Sequence, residues 1–328
     1  MIEIKNLVKS YGKSNAVDNI SFTVNSGEIL GLLGPNGAGK STTMNIITGY
    51  ISATSGTVTI DGKDTVESAE QCRKMVGYLP EQPPLYMDMT VIEYLDFVYD
   101  IKKADQDRES HIDGILELVG ISDVKNRLIK NLSKGYKQRV GIAQALIGDP
   151  EILILDEPTV GLDPKQILEI RNVIKELGKE HTVILSSHIL SEVSAVCERI
   201  IIISNGKIVA EDTTENLSNN LSNYNKFVVR IAGQDAGQIE KLLKGIKNVN
   251  NVEYKGEAEP GAQDYLIESE KDADVRVDLF NALSAGNLPI LMLKSMDMSL
   301  EEIFLKLTAG EEAYVESVAE DKDKEDKE

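Results

Sequence analysis

Short apolar runs and amphipathic stretches take turns along most of this chain. Residues 2–8 and 19–24 alternate apolar and polar positions, which predicts two strands flanking a loop that contains Tyr11. Residues 28–33 form an apolar run of strand length, and Thr43 to Thr48 reads as a helix with Gly49 as its stop. Residues 57–60 and 63–66 flank Asp61-Gly62, a strong hairpin signal. Met75 to Leu79 predicts a buried strand that runs into Pro80-Glu81-Gln82-Pro83-Pro84. Gln82 is therefore expected on a loop at a strand's C-terminal end, where open α/β sheets place ligand-contacting residues.

From 88 to 148 the pattern turns helical. Thr90 and Glu93 have the spacing of a capping box, and Val91, Tyr94, Leu95, Val98 and Ile101 recur at helical intervals. Ile112, Ile115, Leu116 and Val119 repeat the interval, Gly120 ends it, and a third helix is expected from about Ser133 to Gly148. Three helices without strands inside an α/β chain predict an inserted helical subdomain. Residues 151–155 then read as a fully buried strand, Pro164 to Gly178 as a helix, Thr182 to Ser186 as a strand and Ile189 to Cys197 as a helix. Ile200 to Ser204 and Ile208 to Ala210 flank Asn205-Gly206, another hairpin. This alternation predicts a largely parallel, helix-covered sheet. Asn216 to Asn225, rich in Asn and Ser, reads as a linker. Beyond it the expected order is strand (227–232), helix (236–246), strand (249–255), strand (264–268), helix (272–285) and strand (288–294). That is a small α+β domain in the ferredoxin-like βαββαβ order. Ser299 and Glu302 would cap a last helix carrying Leu300, Ile303, Phe304 and Leu307.

A length of 328 residues fits two domains with true cores. The boundaries expected are a domain over 1–215, a linker over 216–225, an accessory or dimerisation domain over 226–309 and a tail over 310–328. The net charge of −19 argues against nucleic-acid binding and against broad contact with anionic lipid. Part of the acid is local: residues 311–328 hold nine Asp/Glu and three Lys, the composition of a disordered, solvated tail. Cys72 and Cys197 have no C-x-x-C spacing and read as reduced small hydrophobes of a cytoplasmic protein. His111 and His181 read as surface residues. The N-terminus lacks a signal-peptide core, and no apolar run approaches the ~20 residues that span a bilayer, so the chain is expected to be soluble by itself.

The chemistry centres on Gly34-Pro35-Asn36-Gly37-Ala38-Gly39-Lys40-Ser41-Thr42, which fits G-x-x-x-x-G-K-[ST] between a strand and a helix. Glycines there let successive backbone N–H groups turn inward, and the helix N-terminus favours negative charge, which makes a phosphate cradle. Lys40 would reach the β- and γ-phosphates of a nucleotide and the Ser41 hydroxyl would hold Mg²⁺. Asp156 and Glu157 end the strand at 151–155; in a phosphate-loop sheet the first acid helps hold Mg²⁺ and the second polarises the attacking water.

Taken in order, Tyr11, Gly34–Thr42, Gln82, Leu132-Ser133-Lys134-Gly135-Tyr136-Lys137-Gln138-Arg139, Asp156-Glu157-Pro158, Gly161-Leu162-Asp163-Pro164 and His188 resemble the nucleotide-binding subunits of ATP-binding cassette (ABC) transporters over about residues 1–215. The resemblance implies a P-loop NTPase sheet with a helix-covered parallel core, an antiparallel β subdomain and the helical subdomain over about 88–148. It implies that Tyr11 stacks on adenine, Gln82 senses Mg²⁺ and faces a membrane subunit, and His188 contacts the γ-phosphate. Ser133 and Gly135 would complete the site of the opposite subunit, and Asp163 would lie on the loop crossing the dimer seam. Lys134 and Tyr136 depart from the usual Leu-Ser-Gly-Gly-Gln, and this form is similar to the exporter-type (ABC-2-like) branch.

The function implied is an ATPase that closes around two ATP as a homodimer or paired cassette and drives a separate permease, peripheral to the inner face of the membrane. Pro84, Leu85, Tyr86, Met87 and Met89 either line the permease's docking groove or form a local core patch. Two rivals remain: a soluble, non-transport ABC ATPase of repair or ribosomes, and a module in which residues 226–296 sense a ligand and gate the ATPase.

Overall fold

The structure, a computed structural model, describes residues 1–213, 216, 224–233, 235–270 and 273–295. They divide into two compact units, one within Met1–Thr214 and one within Glu215–Ile303. The expected helix after Ser299 and the acidic tail lie outside the described residues.

The N-terminal unit opens with the hairpin β1 (Ile2–Tyr11) and β2 (Ser14–Val24). These strands are longer than the alternation suggested. Tyr11 ends β1 rather than sitting in a loop, because the chain reverses tightly through Gly12, whose φ is 65°. β3 (Ile29–Leu33) leads through the glycine-rich loop into α1 (Lys40–Ile47), which begins at Lys40 itself. β4 (Ser55–Ile60) and β5 (Lys63–Asp64) make the second hairpin, turning through Asp61 and Gly62 with φ of 46° and 75°. α2 (Ala69–Met75) and β6 (Val76–Leu79) follow.

The helical insertion consists of α3 (Val91–Lys102), α4 (Arg108–Leu118) and α5 (Lys134–Leu146), with two short 3-10 turns before α5. Local chemistry sets their starts. Thr90 and Glu93 form the reciprocal capping box at α3, and Asp107 and Ser133 accept from backbone N–H groups at the starts of α4 and α5. β7 (Ile152–Leu155), α6 (Pro164–Leu177), β8 (Thr182–Ser187), α7 (Leu190–Ser194), β9 (Arg199–Ser204) and β10 (Lys207–Thr213) complete the unit. α7 is shorter than the expected 189–197 helix.

The six-stranded sheet has the order β10-β9-β3-β8-β7-β6, all neighbours parallel except β10 with β9. β3, β7 and β8 are buried at every residue, as strands covered on both faces must be. A separate antiparallel sheet, β2-β1-β4-β5, packs Ile2, Ile4, Phe22, Val58 and Ile60 into one core with Met44 and Ile47 of α1. The C-terminal unit contains β11 (Tyr224–Ala232), α8 (Ala236–Lys244), β12 (Val249–Glu259), β13 (Ala262–Glu270), α9 (Arg276–Ala285) and β14 (Ile290–Ser295). Its antiparallel sheet runs β12-β13-β11-β14 over a core that includes Val229, Tyr265, Leu243 and Leu279.

Candidate nucleotide site

The loop between β3 and α1 has little room for side chains. Gly39 has φ 110°, and a Cβ there would stand 2.4 Å from the Ala16 carbonyl oxygen. A Cβ on Gly34 would stand 2.2 Å from the Ile203 carbonyl oxygen. Backbone hydrogen bonds hold the curve: Ala38 N donates to Pro35 O at 3.1 Å, Gly34 N to Ser187 O at 3.3 Å and Gly206 N to Ala38 O at 3.0 Å. Lys40 is 5% exposed, and its ammonium donates to Gly34 O at 2.7 Å and Pro35 O at 3.3 Å. Ser41 and Thr42 are half-buried at the start of α1, while Asn36 and Gly37 are exposed.

Parallel pairing brings the acidic end of β7 to this loop. Asp156 is 2% exposed and its backbone N–H donates to Leu79 O at 2.9 Å, which seats it beside β6. Ser186 of β8 is the link that sequence reasoning missed. Its buried hydroxyl donates to Asp156 Oδ1 at 2.6 Å and accepts from Glu157 N at 2.9 Å. Glu157 adopts φ 48°, a left-handed conformation costing a non-glycine residue about 1–3 kcal/mol. That turn aims its carboxylate at Lys40 and His188. Oε1 lies 3.4 Å from Lys40 Nζ, and Oε2 lies 2.9 Å from His188 Nδ1. An ionised carboxylate only accepts, so the histidine proton on this contact sits on Nδ1. Lys40, Glu157 and His188 thus form one line of alternating charge and donors at the glycine loop.

Other predicted residues stand further out. Gln82 is exposed on the loop beyond β6. Tyr11 is 54% exposed, with Lys9 Nζ 5.2 Å from its ring centroid. Ser133 caps α5 and is exposed; Gly135 is buried, and a Cβ there would stand 2.7 Å from the Gln166 side chain. Asp163 caps α6 by accepting from Gln166 N at 2.9 Å. Among the described residues no hydrogen bond or ion pair joins Ser133, Gly135 or Asp163 to the Gly34–Thr42 loop of the same chain. Lys134 takes the first helical position of α5, where a Cβ is free of strain, and its ammonium lies where a Cβ of Gly161 would project, 2.2 Å from that point. Tyr136 turns its hydroxyl to Asp123 Oδ2 at 3.3 Å.

Two histidines expected at the surface are not there. His181 is buried, with Nδ1–H donating to Pro150 O at 2.8 Å. His111 is half-buried; its Nε2 accepts from Gly148 N at 3.0 Å, and burial lowers its pKa. Each satisfies a backbone group at the edge of a packed element, a task that a polar ring does better than solvent.

A strand, a glycine-rich turn and a helix, faced by a buried acid pair from the end of β7, one strand beyond β8 in the same parallel sheet, define a nucleoside-triphosphate-binding ATPase cassette. Comparison with known proteins agrees. The ABC transporter family model matches residues 17–160. The chain is 33% identical over 312 residues to the bacitracin transport ATP-binding protein BcrA of Bacillus licheniformis, covering 94% of this chain and 98% of that one. It is 42% identical over 234 residues to the lantibiotic transport ATP-binding protein SrtF of Streptococcus pyogenes, covering 70% of this chain and all of SrtF. A dimeric, post-hydrolysis structure of the ATP-binding cassette MJ0796 bound to ADP and Pi superposes with a TM-score of 0.60 at 29% identity, over 65% of this chain and 98% of that one. The chain belongs to the ABC transporter family, as an ATP-binding, ATP-hydrolysing subunit.

Proposed function

We propose that two such cassettes close around two ATP and drive a separate membrane permease that exports its cargo. The observation that carries this reading is the line Lys40–Glu157–His188 laid along the glycine loop. Gly34, Pro35, Asn36, Gly37, Ala38, Gly39, Lys40, Ser41 and Thr42 take the phosphates, with Tyr11 stacking on the adenine. Glu157 is the general base for the attacking water, and His188, steered by Glu157, contacts the γ-phosphate. Mg²⁺ is usually held by one or two carboxylates plus phosphate oxygens, and Asp156, the Ser41 hydroxyl and Gln82 supply a donor set of that kind. When bound, the ion would neutralise charge on the β- and γ-phosphates.

Ser133, Gly135 and Asp163 act on the nucleotide of the opposite cassette. The dimeric MJ0796 structure supports that division. Hydrolysis removes the phosphate that both chains hold, and the pair opens. The exposed Tyr86, whose ring meets Tyr94 and Phe97 edge-on, and the exposed Met87 favour a docking surface for the permease over a local core. No helix among the described residues is long and apolar enough to cross a membrane. From the transport relatives we infer that a permease holds the chain at the cytoplasmic face. Export rests on the Lys134-Gly135-Tyr136-Lys137-Gln138 form and on the transport relatives.

The test is direct. Glu157→Gln should bind ATP and lose turnover, whereas Lys40→Ala should lose nucleotide affinity. Hydrolysis near the wild-type rate in Glu157→Gln would rule out the base assignment.

A further inference from the structure

Glu192, on α7, is 6% exposed and takes no part in the chemistry above. Glu28, another buried acid, is answered by Arg199 at 2.7 Å. Glu192 instead faces two hydroxyls from different segments. Its Oε2 accepts from Thr159 Oγ1 and from Ser187 Oγ, the latter at 3.2 Å. Thr159 is 5% and Ser187 1% exposed. Ser187 Oγ also accepts from Ile189 N at 3.0 Å, so the turn that presents His188 is closed by the same hydroxyl.

The two segments are the ones that carry the reacting groups. Thr159 lies between Glu157 and the Gly161–Asp163 loop, and Ser187 immediately precedes His188. α7 packs closely on the strand that feeds the glycine loop: a Cβ on Gly31 of β3 would stand 2.1 Å from Val193 Cγ1. A buried carboxylate that accepts two hydroxyl protons gives charge-assisted bonds, roughly twice as strong as neutral ones. The same two segments meet again where His188 Nδ1–H donates to Glu157 at 2.9 Å.

We propose that Glu192 is a positioning residue for hydrolysis: it ties the Thr159 and Ser187 segments together from below, and so sets the spacing of Glu157, His188 and the Gly161–Asp163 loop. This rests on the roles given above to Glu157 and His188. Binding of the phosphates at Lys40 does not pass through Glu192, but the geometry of water attack does.

The experiment uses the full chain and compares steady-state ATP hydrolysis of Glu192→Ala, Glu192→Gln, Thr159→Val and the Glu192→Ala/Thr159→Val double variant. A displacement near 1 Å at a reacting group costs about 10²-fold, so kcat of Glu192→Ala should fall roughly 10- to 100-fold. KM for ATP should change far less than kcat, since the bonds that Lys40 makes to the glycine loop do not involve Glu192. Glu192→Gln, which keeps an accepting oxygen, should recover most of the rate. The double variant should be no slower than Glu192→Ala alone, because both changes break one unit. A merely structural role would lower thermal stability, leave kcat of the folded protein unchanged and give additive losses; that pattern overturns the proposal. If Glu192→Ala does not fold, Thr159→Val, nearly isosteric, carries the same expectation of a kcat loss far larger than any change in KM. Glu157→Gln run alongside separates the two layers. Turnover in it removes the underlying reading. Loss of turnover in it, with wild-type rates in Glu192→Ala and Thr159→Val, removes only the role of Glu192.

Discussion

Ser186→Ala removes one oxygen and breaks two bonds at the centre of the site. The hydroxyl donates to Asp156 Oδ1 at 2.6 Å and accepts from Glu157 N at 2.9 Å, and Ser186, Asp156 and Glu157 are 0%, 2% and 5% exposed. A hydrogen bond to a charged group contributes about 1.5–3 kcal/mol, and a buried N–H left without a partner costs about 1–3 kcal/mol. The two losses share one atom and are not fully additive, so roughly 2–4 kcal/mol is expected. With a urea slope of about 2 kcal/mol/M, the unfolding midpoint should fall by about 1–2 M. The chain has no Trp, so far-UV circular dichroism is the suitable probe. The transition to follow is the one that added ATP shifts upward, since ligand stabilises the unit that binds it. ATP turnover should fall further than stability does, because the Glu157 N–H bond also supports that residue's left-handed turn. An unchanged midpoint together with unchanged turnover would refute the view that Ser186 holds the acid pair in place.

Other perturbations have equally definite outcomes. Gly39→Ala puts a Cβ 2.4 Å from the Ala16 carbonyl oxygen at φ 110°, so equilibrium dialysis should show ATP affinity reduced at least tenfold, about 1.4 kcal/mol. Burial pushes the Lys102 ammonium down from 10.5 to about 8, although it donates to Ala145 O and Ile147 O at 3.0 and 2.9 Å. The folded-state value lies below the unfolded one, so between pH 8 and 10.5 the unfolded chain holds the extra proton and this group's contribution to stability rises with pH. Below pH 8 its contribution is constant and unfavourable. Urea unfolding of wild type and Lys102→Met across pH 7–10.5 should show a rise in the wild type that the variant lacks. Lys134→Gly removes the ammonium that lies beside Gly161, so the ATPase rate should fall, and the gap to wild type should narrow as salt rises from 0.05 to 0.5 M, where screening grows.

Much of the fold was legible because its determinants are local. The α3 start follows from Thr90 and Glu93, the hairpins from Asp61-Gly62 and Asn205-Gly206, and the glycine loop from its own spacing. What could not be read was set by partners distant in sequence. The left-handed turn of Glu157 depends on a serine 29 residues away, and the burial of His181 depends on the Pro150 carbonyl 31 residues away. A signal did exist for Ser186 and Ser187. They are polar residues at the end of an apolar strand whose every position is buried, and such residues need partners. Glu192 offered less, since one acid in a five-residue helix looks like any solvated side chain until the fold encloses it.

The central claim is that ATP is held between two chains, and the measurement closest to it is the mass of Glu157→Gln by sedimentation with Mg-ATP and with Mg-ADP. A two-chain species with ATP and single chains with ADP are predicted. Single chains that bind ATP yet never pair would contradict the account.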